Sequence, residues 1–348
     1  MSFFAQYQNG VNLGGWLSQF SLARQEHFQS FVQEKDIQQI AQWGADHVRL
    51  PVDCDVLENP QQPFDLNQAG IAYVDRCLKW CEKYHLNVIL DLHHAEGHVY
   101  GEMEKIVPLF TDPVLRTRFL KIWKTLAARY RGIGKQLTFE LLNEISDASG
   151  YLWNNLCADA IQTIRGIDSS RTILVGSNEA NSVFTLNQLH LFDDPNVVYN
   201  FHFYDPMTFT HQKAHFSQDL RDFNTTVHYP GKIAGFPAYL AAHRQYVDKF
   251  YRTVWDDEND RPLMQRYLAN AANFVRYTGR ELYCGEFGAI IGAPEKDAAA
   301  WVTDVRNTLD SLKIGHAYWS YKEMDFGLVN TGSEVVRPLI LQALFQNS

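Results

Sequence analysis

Eight times along this chain a short apolar run gives way to a stretch with helical periodicity, and this alternation limits the possible folds more than any other feature. The apolar runs lie at residues 10–16, 47–53, 87–94, 137–145, 172–177, 197–205, 281–288 and 316–322. Helical stretches follow them at 36–43, 67–85, 112–131, 149–167, 186–192, 264–278, 297–312 and 336–346. Near-continuous apolar runs suit strands buried on both faces, as in a parallel sheet. Eight strand–helix units in succession predict an α/β fold, a single (β/α)8 TIM barrel. The third helical stretch is the clearest, with Leu115, Phe119, Ile122, Trp123, Leu126 and Tyr130 on one face. Asp112-Pro113 supplies it with an N-cap and a proline at the first helical position. A doubly wound open sheet is the competing architecture, but no glycine-rich dinucleotide loop follows the first strand. One domain spanning residues 1–348 is expected.

The strand ends carry the chemistry. A parallel barrel presents its functional side chains where the strands stop at the C-terminal face. Here those ends hold Asn12 and Trp16, Arg49, His93 and His94, Asn143 and Glu144, His202 and Tyr204, Glu286, and Trp319. One polar residue at one buried strand end is as often a satisfied core group as a functional one. Seven of the eight strands ending this way point to a site. Glu140 shares strand parity with Glu144 and should also point inward. A buried carboxylate needs a partner, and Arg49 is the candidate, with a structural role for Glu140.

Two connections on that face are long. Residues 95–110 carry His98, Tyr100, Glu102 and Glu104, and residues 206–262 are rich in His, Phe and Tyr. Connections of this length are usually functional lids or disordered. The aromatic content of the second, with Phe209, Phe216, Phe223, Tyr229, Phe236 and Tyr239, favours an ordered lid-like insertion after the sixth strand. Such a loop is equally able to shape a neighbouring copy's pocket, so a homo-oligomer through 206–262 is a further expectation.

Charge and composition exclude several classes. The net charge of −9 and the lack of basic runs argue against nucleic acid. No apolar stretch is long enough to span a membrane, so no membrane partner is expected. The N-terminal residues lack the n-region, h-region and cleavage site of a secretory signal, which predicts a cytoplasmic location. Cys77 and Cys81 are spaced as a metal pair, but no matching Cys or His pair follows and core thiols are expected.

Seven segments, in order and each at a strand end, resemble glycoside hydrolase family 5, the family of many cellulases and mannanases. They are GVNLGGW at the first strand, RLP at 49–51, DLHH at 91–94, FELLNE ending at Glu144, NFHFY at 200–204, GEFG at 285–288 and AYWSYK at 317–322. The resemblance covers nearly the whole chain. It implies an O-glycosyl hydrolase with Glu144 as general acid/base and Glu286 as nucleophile. Double displacement needs two carboxyls about 5 Å apart, one ionised and one protonated. Arg49 and Tyr204 beside Glu286 would favour the anion there, while burial and repulsion would keep the proton on Glu144. The resemblance further implies that Asn143 binds the sugar 2-hydroxyl, that His93 and His202 position the acid and sugar hydroxyls, and that Trp319 is a stacking platform. His94 and Trp16 are expected in the pocket wall. No cofactor and no metal are implied, and the partner is an oligosaccharide substrate. Many family members carry proline after the acid/base glutamate where this chain has Ile145, which bears on subsite shape rather than mechanism.

Two other classes compete. A metal-dependent barrel hydrolase would use His93, His94 and His202, but adjacent strand residues point to opposite faces. A non-catalytic sugar-binding barrel would usually have lost a carboxylate, and this chain keeps both. The lid and the expected cytoplasmic location favour an exo-acting β-glycosidase on short gluco- or manno-configured oligosaccharides, with an endo-β-1,4-glucanase or mannanase as the alternative.

Overall fold

The computed structural model describes residues 4–20, 24–59, 62–99, 107–246 and 258–345. Eight parallel strands close a barrel: β1 (Asn9–Asn12), β2 (His47–Asp53), β3 (Asn87–His94), β4 (Leu137–Glu140), β5 (Thr172–Gly176), β6 (Val197–Phe203), β7 (Leu282–Phe287) and β8 (Gly315–Tyr318). Each pairs with its neighbours in sequence, and β8 closes on β1. Among the described residues no helix is long and apolar enough to cross a membrane.

Among the described residues the helices of eight or more residues clothe the barrel: α1 (Glu34–Gln42), α2 (Gln68–Lys83), α3 (Pro113–Tyr130), α4 (Leu152–Arg165), α5 (Arg261–Thr278), α6 (Glu295–Ser311) and α7 (Pro338–Phe345). The Asp112 side chain caps α3 by accepting from the backbone N–H groups of Val114 and Leu115. Proline at the first turn of α3 costs no hydrogen bond. The core has two parts. A small cluster of Phe4, Tyr7, Ile89, Leu174, Val198, Tyr283 and Ala317 contrasts with a large one that spreads over strands and helices. Ile89, Leu174 and Val198 fall on the strand parity that points into the barrel, so the small cluster fills its floor beneath the polar groups. All five cysteines are buried and free, Cys77 and Cys81 among them.

The expected helix at 186–192 is instead a 3-10 turn at Val183–Gln188, after Glu179, Ala180 and Asn181 take left-handed φ values of 51°, 56° and 56°. Three successive left-handed residues do not lead into a right-handed α-helix. β4 ends at Glu140, earlier than the apolar run suggests. Beyond it the backbone alternates partners, Leu141 N donating to Leu174 O and Asn143 N to Leu92 O, so the segment stays wedged between its neighbours.

The connection after β6 folds into the short helices Met207–Thr210, Gln218–Phe223 and Phe236–Ala242, and Gly231–Lys232 pairs with Glu258–Asn259. Phe209, Tyr229 and Phe236 are buried, and Phe223 packs against Phe236 and Tyr239 with ring centroids 4.9 and 5.1 Å apart. Phe216 instead stands exposed. Tyr100, Glu102 and Glu104 of the β3 connection lie outside the described residues.

Candidate active site

Arg49 organises the C-terminal end of the barrel. Its side chain is fully buried, and a guanidinium there must meet acceptors with every N–H. Nε and Nη2 donate to the two oxygens of Glu140 at 2.7 and 2.9 Å. Nη1 donates to Glu286 Oε1 at 2.7 Å and to Asn12 Oδ1 at 3.0 Å. Nη2 also reaches Asn143 Oδ1 at 2.8 Å and lies 2.9 Å from Asp91 Oδ2. Burial alone would lower the Arg49 pKa, but Asp91, Glu140 and Glu286 together raise it well above its usual value. Burial raises Glu140 against the pull of Arg49. It pushes Asp91 up to about 7, with Arg49 opposing and Glu144 adding.

Glu286 and Glu144 face each other above this cation. Glu286 Oε1 accepts from Arg49, and Oε2 accepts from the Tyr204 hydroxyl at 2.8 Å. Burial and the Glu286 charge hold the Tyr204 hydroxyl protonated, so it remains a donor. Glu144 sits past the end of β4 at φ 43° with its side chain 30% exposed, whereas that of Glu286 is 5% exposed. Burial at the pocket floor raises the Glu144 pKa, with His93 and Arg49 pulling the other way. His202 stands between the two carboxyls, its Nδ1 3.4 Å from Glu144 Oε1 and 3.6 Å from Glu286 Oε2. Oxygens of both glutamates and a ring nitrogen of His202 all lie within 4.8 Å of one another. Burial lowers the His202 pKa to about 4, so the ring is neutral at pH 7. The Asn181 amide lies 3.2 Å from Nε2, and with that nitrogen as acceptor Nδ1 carries the hydrogen that faces the carboxylates.

Glu144, His202 and Glu286 are the one group of three or more potential metal ligands among the described residues. Arg49 and Tyr204 already occupy the Glu286 oxygens, and a guanidinium beside them opposes a second cation. The alternative set of His93, His94 and His202 does not assemble, because His94 turns away. Glu144, His202 and Glu286 instead line a pocket of about 720 Å3 with Asn143, His93, Tyr204 and Trp319.

Comparison with known proteins identifies the family of the chain. The cellulase family, glycosyl hydrolase family 5, matches residues 6–325. The chain belongs to glycosyl hydrolase family 5. It is 39% identical to Endoglucanase C of Acetivibrio thermocellus over 97% of this chain and 98% of that one. It is 33% identical to Cellodextrinase A of Ruminococcus flavefaciens over 84% and 79% of the two chains. Among solved structures, the clostridial cellulose synthase subunit Z of Clostridioides difficile superposes with a TM-score of 0.75 at 26% identity, covering 98% of this chain and 100% of that one. Endoglucanase Cel5A of Thermotoga maritima has the same barrel, with a TM-score of 0.75 at 23% identity over 98% and 97% of the chains. The protein is a family 5 glycoside hydrolase.

Around the carboxyl pair of this family 5 site, Trp319 and His93 stack nearly parallel with ring centroids 5.7 Å apart. Gly14 makes room for that wall, since a Cβ there would lie 2.7 Å from the Trp319 ring. His93 Nδ1 lies 2.7 Å from Asp91 Oδ2. Two expected wall residues are not brought to the pocket. Trp16 is fully buried, its Nε1 donating to Phe28 O at 2.9 Å and its ring stacked on Trp80. His94 lies on the opposite face of β3 from His93, where Nε2 donates to His98 O at 3.0 Å. Adjacent strand residues take opposite faces, so with His93 inward His94 points outward.

Three residues of the site escape a reading of strand ends. Asp91 supports His93 and Arg49. Asn200 donates to Glu140 Oε1 at 2.7 Å and accepts from Gly285 N at 2.9 Å. Asn181 fixes His202. Parity would have found the first two, because Asp91 shares the inward register of His93, and Asn200 that of His202 and Tyr204. No sequence signal marks Asn181, which depends on the left-handed turn after β5.

Proposed function

We propose that this enzyme hydrolyses β-1,4-linked glucans and cello-oligosaccharides internally, with retention of anomeric configuration, using Glu286 as nucleophile and Glu144 as acid/base. The observation that carries the reading is the carboxyl pair. One oxygen of Glu144 and one of Glu286 lie within 4.8 Å of each other, in keeping with the separation of about 5 Å that double displacement uses rather than the wider spacing that seats a water for inversion. The two environments divide the roles. Glu286 is gripped by a cation and a hydroxyl donor, which aim an electron-rich oxygen at the anomeric carbon. Glu144 is more open, and burial raises its pKa so that it can donate a proton to the departing oxygen.

In the first step Glu286 attacks the anomeric carbon while Glu144 protonates the glycosidic oxygen, leaving a glycosyl ester on Glu286. In the second, Glu144 takes a proton from water, which attacks the same carbon and frees Glu286. Asn143 is positioned for the 2-hydroxyl, its Oδ1 held by Arg49. Trp319 is the platform beneath the sugar whose bond is cut. The neutral His202, donating between the carboxylates, keeps them in register without adding a charge.

The names of Endoglucanase C and Cellodextrinase A, similar over most of both chains, support the endo-glucanase alternative over the exo-acting β-glycosidase expected from sequence. A time course of products from cellopentaose, laminaripentaose and mannopentaose tests this. Early cellobiose and cellotriose from cellopentaose, with slow or no cleavage of the other two, is the expected result. Glucose as the sole early product would restore the exo reading.

A further inference from the structure

Beside the catalytic pocket lies a second depression of about 470 Å3, built by the segments that follow β4 and β5. Glu179 lines both hollows, so they are adjoining parts of one surface. The second is preformed by its own hydrogen bonds. The Asp147 carboxylate accepts from Ser149 N, Ser149 Oγ and Trp153 N at 2.9, 2.6 and 2.9 Å, which ties the loop to the start of α4. The Asn178 amide donates to Asp147 O at 2.8 Å and to Gln188 Oε1 at 3.1 Å, joining the two loops into a polar floor. At the edge stands Tyr151, which is 60% exposed. Among the described residues Tyr151 is not part of the apolar core, so its ring face is open at the rim of a polar hollow.

The barrel's topology gives the hollow its place on the substrate. Trp319 follows β8, and β4 and β5 lie across the closed barrel from it. A glucan with one unit on Trp319 and its scissile oxygen at Glu144 must continue over the β4 and β5 loops on the leaving-group side. We propose that this depression is a distal leaving-group subsite, in which Tyr151 stacks on a glucosyl unit and Glu179 and Gln188 take its hydroxyls. This rests on the endo-glucanase reading of the catalytic pocket. It predicts that the enzyme is tuned for chains with several units beyond the cleaved bond.

The test compares two substrates in native enzyme, Tyr151→Ala and Tyr151→Phe. Cellohexaose can reach the hollow, whereas 4-nitrophenyl β-cellobioside ends at the position next to Glu144. The ratio of their kcat/KM values should fall roughly tenfold in Tyr151→Ala, the size expected for losing one well-placed aromatic contact. Tyr151→Phe, which keeps the ring face, should retain the native ratio. Cleavage of cellohexaose by Tyr151→Ala should also shift towards products with shorter leaving-group ends. An unchanged ratio in Tyr151→Ala would overturn the subsite and leave the catalytic reading standing. Failure of the native enzyme to cut cellohexaose while cutting the aryl glycoside would overturn the endo-glucanase reading and the subsite with it.

Discussion

At the scale of single residues, the site is a problem of one cation among several acids. Arg49 faces Asp91, Glu140 and Glu286 within 2.9 Å. The three acids are not equivalent. Glu140 receives Arg49 bidentately and an amide from Asn200, Glu286 receives Arg49 and Tyr204, and Asp91 shares one oxygen between Arg49 and His93. Glu144 makes no direct contact with Arg49 and is left with burial as the largest influence. Because its pKa is raised, its proton persists above the ordinary carboxylate range and is lost as pH rises further. Activity requiring the acid should therefore decline on the alkaline side through the ionisation of Glu144. Glu144→Gln should lower kcat/KM on cellopentaose by roughly 10²–10⁴-fold, the usual worth of general acid catalysis. It should lower formation of the glycosyl-enzyme from a dinitrophenyl glycoside far less, since that leaving group needs no proton, and the alkaline decline should disappear. Equal losses on both substrates would contradict the assignment. Parity along residues 137–145 foretells the Arg49–Glu140 pair, and the strand-end positions foretell contacts of Arg49 and Tyr204 with Glu286. Trp16 and His94 were misplaced because position near a strand end does not say which face a side chain takes.

At the scale of elements, the site depends on departures from regular strand geometry. Glu286 points inward because the ladders of β7 with β6 and with β8 both shift register beyond Cys284, a bulge that re-aims the side chain. Gly285 makes the bulge possible, since a Cβ there would come within 2.8 Å of Asn200 Oδ1 and 3.1 Å of His202 Nε2. Neither neighbour can give way. Asn200 is held by Glu140 and the backbone of Gly285, and His202 by Asn181. Gly285→Ala should therefore cost about 1–3 kcal/mol of stability, the range for crowding a packed interior. It should also reduce kcat, read from denaturant unfolding and aryl cellobioside turnover. Native values for both would show that the close approach is unimportant. The helix Pro113–Tyr130 and the strands His47–Asp53 and Asn87–His94 were legible because their patterns run unbroken along each element. The bulge, the left-handed Glu144 and the turn at residues 179–181 were not, since each is imposed by contacts between strands distant in sequence.

At the scale of the whole molecule, the fold separates support from chemistry. The apolar floor of the barrel and the surrounding helices stabilise the scaffold, while the polar groups gather at one mouth, where eight strands converge. The alternation of strand and helix made this architecture readable from sequence. The direction in which a glucan crosses the mouth was not readable, because the loops after β4, β5 and β6 form its walls and their shapes follow no short-range pattern. The proposed mechanism places one requirement on the chemistry: Glu286 forms the bond to the sugar and Glu144 serves it from the opposite side. Azide added to Glu286→Ala and to Glu144→Ala with a dinitrophenyl β-cellobioside tests that requirement most directly, with the product anomers read by NMR. In Glu286→Ala azide replaces the missing carboxylate and should yield the α-azide. In Glu144→Ala azide should open the glycosyl-enzyme and yield the β-azide. The same anomer from both variants, or native turnover by Glu286→Ala without azide, would contradict the account.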